Sequence, residues 1–141
     1  SDVKKTIYDS SQSNVDELVD IIFEKKIKLI NNFYNKSLEN NITAIQILMS
    51  TQRHAIKLLQ LFNIVNIEKK SVSQAVSEYK PVIFFQRRDS VIKQMNKWSQ
   101  NSVMKTIKIL SETEEDSRNF PTLSDIIIER GLMKISTLKN K

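Results

Sequence analysis

Residues 41–62, NITAIQILMSTQRHAIKLLQLF, place Ile45, Leu48, Met49, Gln52, Ala55, Ile56, Leu59 and Phe62 three or four positions apart. That spacing collects side chains on one side of a 3.6-residue helix, whereas a strand would need alternation every second residue. Asn41 stands where the pattern begins, and its short polar side chain suits an N-cap. The segment is therefore expected to form the longest helix, capped at Asn41.

The same period extends in both directions. Upstream, Asn14 and Glu17 have the spacing of an N-cap and its third helical residue, ahead of Leu18, Ile21 and Ile22 on one side. Lys25 and Lys26 fall where that helix would end and favour its dipole. Ile27, Ile30, Phe33, Tyr34 and Leu38 form a second stripe that stops in the polar Glu39-Asn40-Asn41. Downstream, the Glu68-Lys69-Lys70 break precedes Ser71 and Gln74, a capping-box pair for a short helix halted by Pro81. Asp89 can cap a further helix bearing Val91, Ile92, Met95 and Trp98. Ser99 restarts the chain into Val103, Ile107 and Leu110, and Pro121-Thr122 opens a last helix with Leu123, Ile126, Ile127 and Arg130 on its inner side.

Composition supports the same class. The 141 residues suit one domain with a core of its own, and one glycine with two prolines leaves little material for the tight turns of a sheet protein. The expected fold is all-α, a compact bundle of about six or seven helices. Cysteine is absent, which removes a disulfide framework, a thiol nucleophile and a Cys-type zinc site, and suits a cytoplasmic protein. The beginning, SDVKKTIYDSS, has no apolar signal-peptide core, and no run approaches the roughly 18 apolar residues of a membrane span. Ser1 is compatible with a cloning remnant.

No catalytic, cofactor-binding or metal-binding residues are assigned. Gly131 is the sole glycine, so neither a Walker loop nor a dinucleotide fingerprint can be written. His54 is the sole histidine, and its neighbours Arg53, Ala55 and Lys57 offer no partner for catalysis or metal binding. The run Glu112-Thr113-Glu114-Glu115-Asp116 lacks the alternating oxygens and glycine of a calcium loop and reads as a solvated face or an electrostatic patch.

Residues 80–99, KPVIFFQRRDSVIKQMNKWS, hold the densest set of interaction residues. Phe84 and Phe85, between two helices, are expected to anchor the core, the alternative being a plug for a partner. Arg87 and Arg88 are placed to grip a carboxylate of a neighbouring subunit or a phosphate, and otherwise form a solvated pair. Trp98 can pack inward and still present an indole edge at an interface. The net charge of +6, from 22 Lys+Arg against 16 Asp+Glu, admits nucleic acid as an alternative partner. Residues 69–99 mimic a helix-turn-helix, but only Lys93, Asn96 and Lys97 of its second helix would face outward.

Several of these features recur in one order: Pro81, then Phe84 and Phe85, then Arg87 and Arg88, then Trp98-Ser99, then Leu110 before Glu112, Glu114 and Glu115, then Pro121 before Glu129 and Arg130. In that order the chain resembles the carboxy-terminal domain of the delta subunit family of DNA polymerase III, the clamp loader, in its alphaproteobacterial form. Asp2-Val3 and residues 16–20, DELVD, look like that family's passage from the lid domain, which would make residues 1–12 lid or linker and 13–141 the helical oligomerisation domain. Ser117-Arg118-Asn119-Phe120 departs from the family's lysine or threonine and glycine before the last proline.

The resemblance implies a non-catalytic domain that binds no ATP and packs with the delta-prime and tau/gamma subunits into the clamp-loader collar during DNA replication. It implies that the sliding clamp is met only through amino-terminal domains outside this sequence, and that any DNA contact is indirect or weak. Candidate subunit-interface residues are Arg87, Arg88, Trp98, Ile128, Leu132 and Ile135, with Ile64, Val65 and Ile67 beyond the long helix; the apolar ones otherwise close the bundle's own ends. A helix-turn-helix DNA-binding domain and a generic helical adaptor remain the alternatives.

Overall fold

The computed structural model describes the backbone of residues 2–139 and the side chains of residues 12–139. Seven α-helices and one 3-10 turn account for the described chain, with no strand: α1 (Asp2–Phe23), α2 (Ile27–Glu39), α3 (Ala44–Ile67), α4 (Val72–Glu78), α5 (Phe85–Lys97), α6 (Gln100–Asn119), the turn Pro121–Leu123 and α7 (Ser124–Ser136). The all-α bundle expected from periodicity is the observed fold. No helix among the described residues is long and apolar enough to cross a membrane. The helix α1 runs without a break past residue 12; Ser1 and the side chains of Asp2 and Val3 lie outside the described residues.

Among the described residues, three non-glycine residues supply the left-handed turns for which the composition offers a single glycine: Lys25 (φ 60°), Asn41 (φ 66°) and Lys69 (φ 55°). At Lys25 the following amide, Lys26 N, donates to Ile21 O while Lys25 N donates to Ile22 O, each at 3.1 Å. Asn41 repeats the pattern, with Ile42 N on Ser37 O at 3.0 Å and Asn41 N on Leu38 O at 3.1 Å. Both are Schellman closures, which satisfy the last carbonyls of α1 and α2. Asn41 therefore ends α2 and does not cap α3. The cap is Thr43, whose hydroxyl accepts from Gln46 N at 3.2 Å while Gln46 Oε1 accepts from Thr43 N at 2.8 Å.

The remaining helix starts follow local chemistry in part. Ser71 accepts from Gln74 N at 3.1 Å, which is half of the expected capping box; the Gln74 side chain instead donates to Glu78 Oε1 at 3.4 Å. Ser99 accepts from Ser102 N at 3.0 Å, and Ser102 Oγ returns the bond to Ser99 N at 2.9 Å. Two expected caps fail because the helices begin earlier: Asn14 is inside α1, and Asp89 is a turn inside α5, which starts at Phe85. The earlier start of α5 brings Arg87 onto the same side as Val91, Gln94, Met95 and Trp98, the face turned to the bundle.

The core takes Leu18, Ile22 and Phe23 from α1, Ile30 and Tyr34 from α2, Ile47, Leu48, Leu58 and Leu61 from α3, Val103 and Leu110 from α6, and Ile128, Leu132 and Ile135 from α7. The Tyr34 hydroxyl donates to the Asp125 carbonyl at 2.6 Å, joining α2 to the start of α7.

Helix α7 is rotated relative to the expected stripe. Ile128, Leu132 and Ile135 are fully buried, while Leu123 and Ile126 are 50% and 52% exposed. The reason is Gly131: a Cβ built there would lie 2.5 Å from Thr113 Oγ1 and 2.7 Å from Thr113 Cγ2, so α6 and α7 touch where α7 has no side chain. That contact turns the flanking residues 128, 132 and 135 inward. Gly131→Ala is expected to destabilise the chain by about 1–2 kcal/mol, although alanine is the better helix former by about 1 kcal/mol. Adding Thr113→Ala should restore most of the loss; urea denaturation of the four members of this cycle checks it.

Candidate functional site

The connector from α4 to α5 displays what it was expected to bury. Tyr79 and Ile83 turn inward, 7% and 6% exposed, and the Tyr79 hydroxyl bonds Gln60 Oε1 on α3. Lys80–Pro81 is a cis peptide bond. With the anchoring role taken by Tyr79 and Ile83, Phe84 and Phe85 are left 76% and 80% exposed beside Val82 at 58%. The expectation that the two phenylalanines anchor the core is therefore corrected. Three large apolar side chains within four residues form an uncovered patch on a tethered segment, a feature that marks contact surfaces more often than solvated ones.

The two arginines divide their roles. Arg87 Nη2 donates to Asp20 Oδ1 at 2.7 Å, and its Nη1 lies 3.6 Å from Asp16 Oδ2, so it clamps the start of α5 to α1. Behind it, Gln94 Nε2 donates to the same Asp20 oxygen at 2.9 Å, and Gln94 Oε1 meets His54 Nε2 at 2.5 Å. Because the Gln94 amide nitrogen is used by the carboxylate, its oxygen accepts, and the proton of neutral His54 resides on Nε2. Burial, the largest influence, lowers the His54 pKa to about 4, against the opposing pull of the Gln94 bond and of Asp20. Arg88 stays at the rim, with its Nε on the Ile83 carbonyl at 3.3 Å and its guanidinium 5.7 Å from the centre of the Phe85 ring. The exposed patch thus carries a cation on its edge.

Trp98 is 3% exposed, its Nε1 donates to the Phe23 carbonyl at 2.7 Å, and the two rings are 5.4 Å apart. The Lys25 ammonium sits 4.4 Å over the indole. Trp98, Ile128, Leu132 and Ile135 thus fill this chain's own core, the second of the two roles considered for them. Ile64 and Val65 are half-buried, whereas Ile67 is 76% exposed. Of the candidate interface residues, Arg88 has its guanidinium against the exposed patch.

In the acidic run, Glu114 pairs with Arg118 at 3.2 Å and accepts from Gln52 at 3.4 Å, which ties it to α3. Among the described residues no three His, Cys, Asp or Glu side chains are grouped to hold a metal ion. Lys93, Asn96 and Lys97 are exposed on α5, and Lys97 Nζ caps the Glu24 carbonyl at 2.8 Å.

Sequence reasoning missed the carboxylates that receive Arg87. Asp16 and Asp20 are one turn apart on α1, and that spacing places both on one side, but their partner is 67 residues away from Asp20. It also missed Lys57, which lines a cleft with Arg53, Gln60, Tyr79 and Arg87. The exposed Phe120, Leu123 and Ile126 at the α6–α7 corner followed from the rotation of α7. Comparison of the chain with protein-family models, with curated proteins and with solved structures gives no match.

Proposed function

We propose that this chain is a non-catalytic helical assembly domain, the carboxy-terminal domain of a DNA polymerase III delta subunit, which joins delta-prime and tau/gamma subunits in the clamp-loader collar. The observation that carries the assembly role is the uncovered Val82, Phe84 and Phe85 patch, held to the bundle by Tyr79 and Ile83 and bordered by Arg88. An aromatic pair with an adjacent arginine is the composition of binding hot spots, and a partner that covers it gains apolar burial without distorting the core. The particular identity rests on the ordered residues from Pro81 to Arg130 that resemble the family. In this role the domain holds upstream modules at fixed relative positions, so that movement driven by ATP in neighbouring subunits reaches the clamp.

The test is light scattering on size-exclusion runs of the chain alone, with the carboxy-terminal domains of delta-prime and tau from the same source, and with duplex DNA. A discrete heteromeric complex without a DNA shift supports the proposal. A DNA shift without a subunit complex favours the helix-turn-helix reading, for which Lys93, Asn96 and Lys97 are available. The Phe84→Ser, Phe85→Ser double variant should weaken the subunit complex at least about tenfold while circular dichroism stays helical. Both side chains are already in water, so their loss removes little from the fold.

A further inference from the structure

We propose that the cleft between α1, α3 and the α4–α5 connector receives an acidic side chain of a partner chain, its carboxylate docking beside Lys57 and Arg53. The proposal deepens the assembly reading and rests on it. Asp16 of α1, Arg53, Lys57 and Gln60 of α3, Tyr79 of the connector and Arg87 of α5 line this cleft.

Its polar groups are unevenly matched. Arg87 is committed to Asp16 and Asp20, although its Nε is buried without an acceptor. Arg53 donates through Nη2 to the neutral Ser50 hydroxyl at 3.0 Å. Lys57 is half-buried and, among the described residues, has no hydrogen bond and no ion pair. Desolvation lowers its pKa first and the Arg87 charge second, and Asp16 and Asp20 oppose them. Gln60 has its oxygen engaged by Tyr79, so its amide N–H groups are what it offers a ligand. Among the described residues, three cations against two carboxylates leave one positive charge, and the uncommitted groups are donors.

A monovalent oxyanion fits this balance: it restores the solvation that Lys57 loses and adds one negative charge to one positive. A carboxylate has that charge, whereas a phosphate monoester carries nearly two. Lys57 is one turn from Gln60 and from Arg53 on the same helix, so one carboxylate can span two donors without moving the backbone.

The experiment titrates the full chain, labelled with nitrogen-15, with an acetylated and amidated diglutamate peptide and separately with inorganic phosphate at equal ionic strength. The expected result is saturable shifts of the Arg53, Lys57 and Gln60 amides with the peptide, lost in Lys57→Gln. In the subunit complex, Lys57→Gln should weaken binding about tenfold and Lys57→Glu more, through loss of a charge-assisted contact. Peptide shifts absent from the cleft, saturation by phosphate alone, or a complex indifferent to both variants overturns the proposal. If the wild-type chain forms no subunit complex, the assembly reading fails, and the peptide titration still decides the cleft.

Discussion

Replacing Trp98 with alanine lowers the unfolding free energy by about 4 kcal/mol, the middle of the range for an aromatic removed from a core. The indole is 3% exposed, packs at a tilt with its ring centre 5.4 Å from that of Phe23, and satisfies the Phe23 carbonyl at the end of α1. Truncation would open a cavity between α1 and the α5–α6 junction and leave that carbonyl without its donor. It would also release Lys25 from the indole face. Trp98→Phe keeps the ring contact and gives up the hydrogen bond, so its loss should be nearer 1–2 kcal/mol. Urea denaturation followed by circular dichroism at 222 nm measures both without relying on tryptophan fluorescence. A Trp98→Ala loss below about 1 kcal/mol would mean that the pocket collapses around the vacancy. Any defect in subunit assembly caused by this variant should scale with unfolding, because the side chain presents no contact surface.

Acidification supplies the second large effect. The His54 pKa is lowered from 6.5 to about 4 by burial, so the unfolded chain binds a proton that the folded chain refuses. For a base depressed in the native state, stability is whole above the unfolded value and falls as the pH drops below it, levelling near the folded value. Between pH 7.5 and 5 this one group should remove about 2 kcal/mol, and about 3 kcal/mol by pH 4. Protonation would place a charge beside Phe23, whose ring is 4.8 Å from the imidazole, with Gln94 and Asp20 giving partial compensation. His54→Gln should flatten the slope between pH 7.5 and 5, even where it lowers stability at pH 7.5. Denaturation midpoints of the two proteins at several pH values decide it; parallel curves would show that His54 does not control the acid transition.

Periodicity served well wherever one helix face met one core. Val91, Met95 and Trp98 of the α5 stripe are buried as a helical stripe requires, but on α3 the inward face is turned from the expected one: Leu48 and Ala55 are buried with Ile47, Leu58 and Leu61, while Ile45, Met49 and Ile56 are 40%, 46% and 46% exposed. Reading failed where two apolar stripes competed. On α7, Leu123, Ile126 and Ile127 matched the period as well as Ile128, Leu132 and Ile135, and a glycine in contact with Thr113 on another helix selected the second set. Phe84 and Phe85 failed differently: their apolarity was plain, but Tyr79 and Ile83 already held the connector down.

The candidate site was partly legible. The aromatic pair and the arginine pair stood out by type and adjacency, while their opposite fates did not. Arg87 became a structural clamp because α1 brings Asp16 and Asp20 to it, and Arg88 remained at the rim because one residue along a helix turns a side chain by about 100°. Lys57 gave no signal in the sequence, since a lysine on an amphipathic helix is ordinarily solvated.

By itself the sequence determined the helical class, the α5 stripe, the Ser71 and Ser99 caps and the absence of a glycine-rich phosphate loop, because each depends on residues within a few positions of one another. Only the tertiary structure decided which stripe of α7 faces the core, that the aromatic pair is exposed, and that Arg87, Gln94 and His54 form one chain of contacts through Asp20. Those outcomes depend on groups 18 to 74 positions apart and on close packing between helices, and local spacing encodes neither.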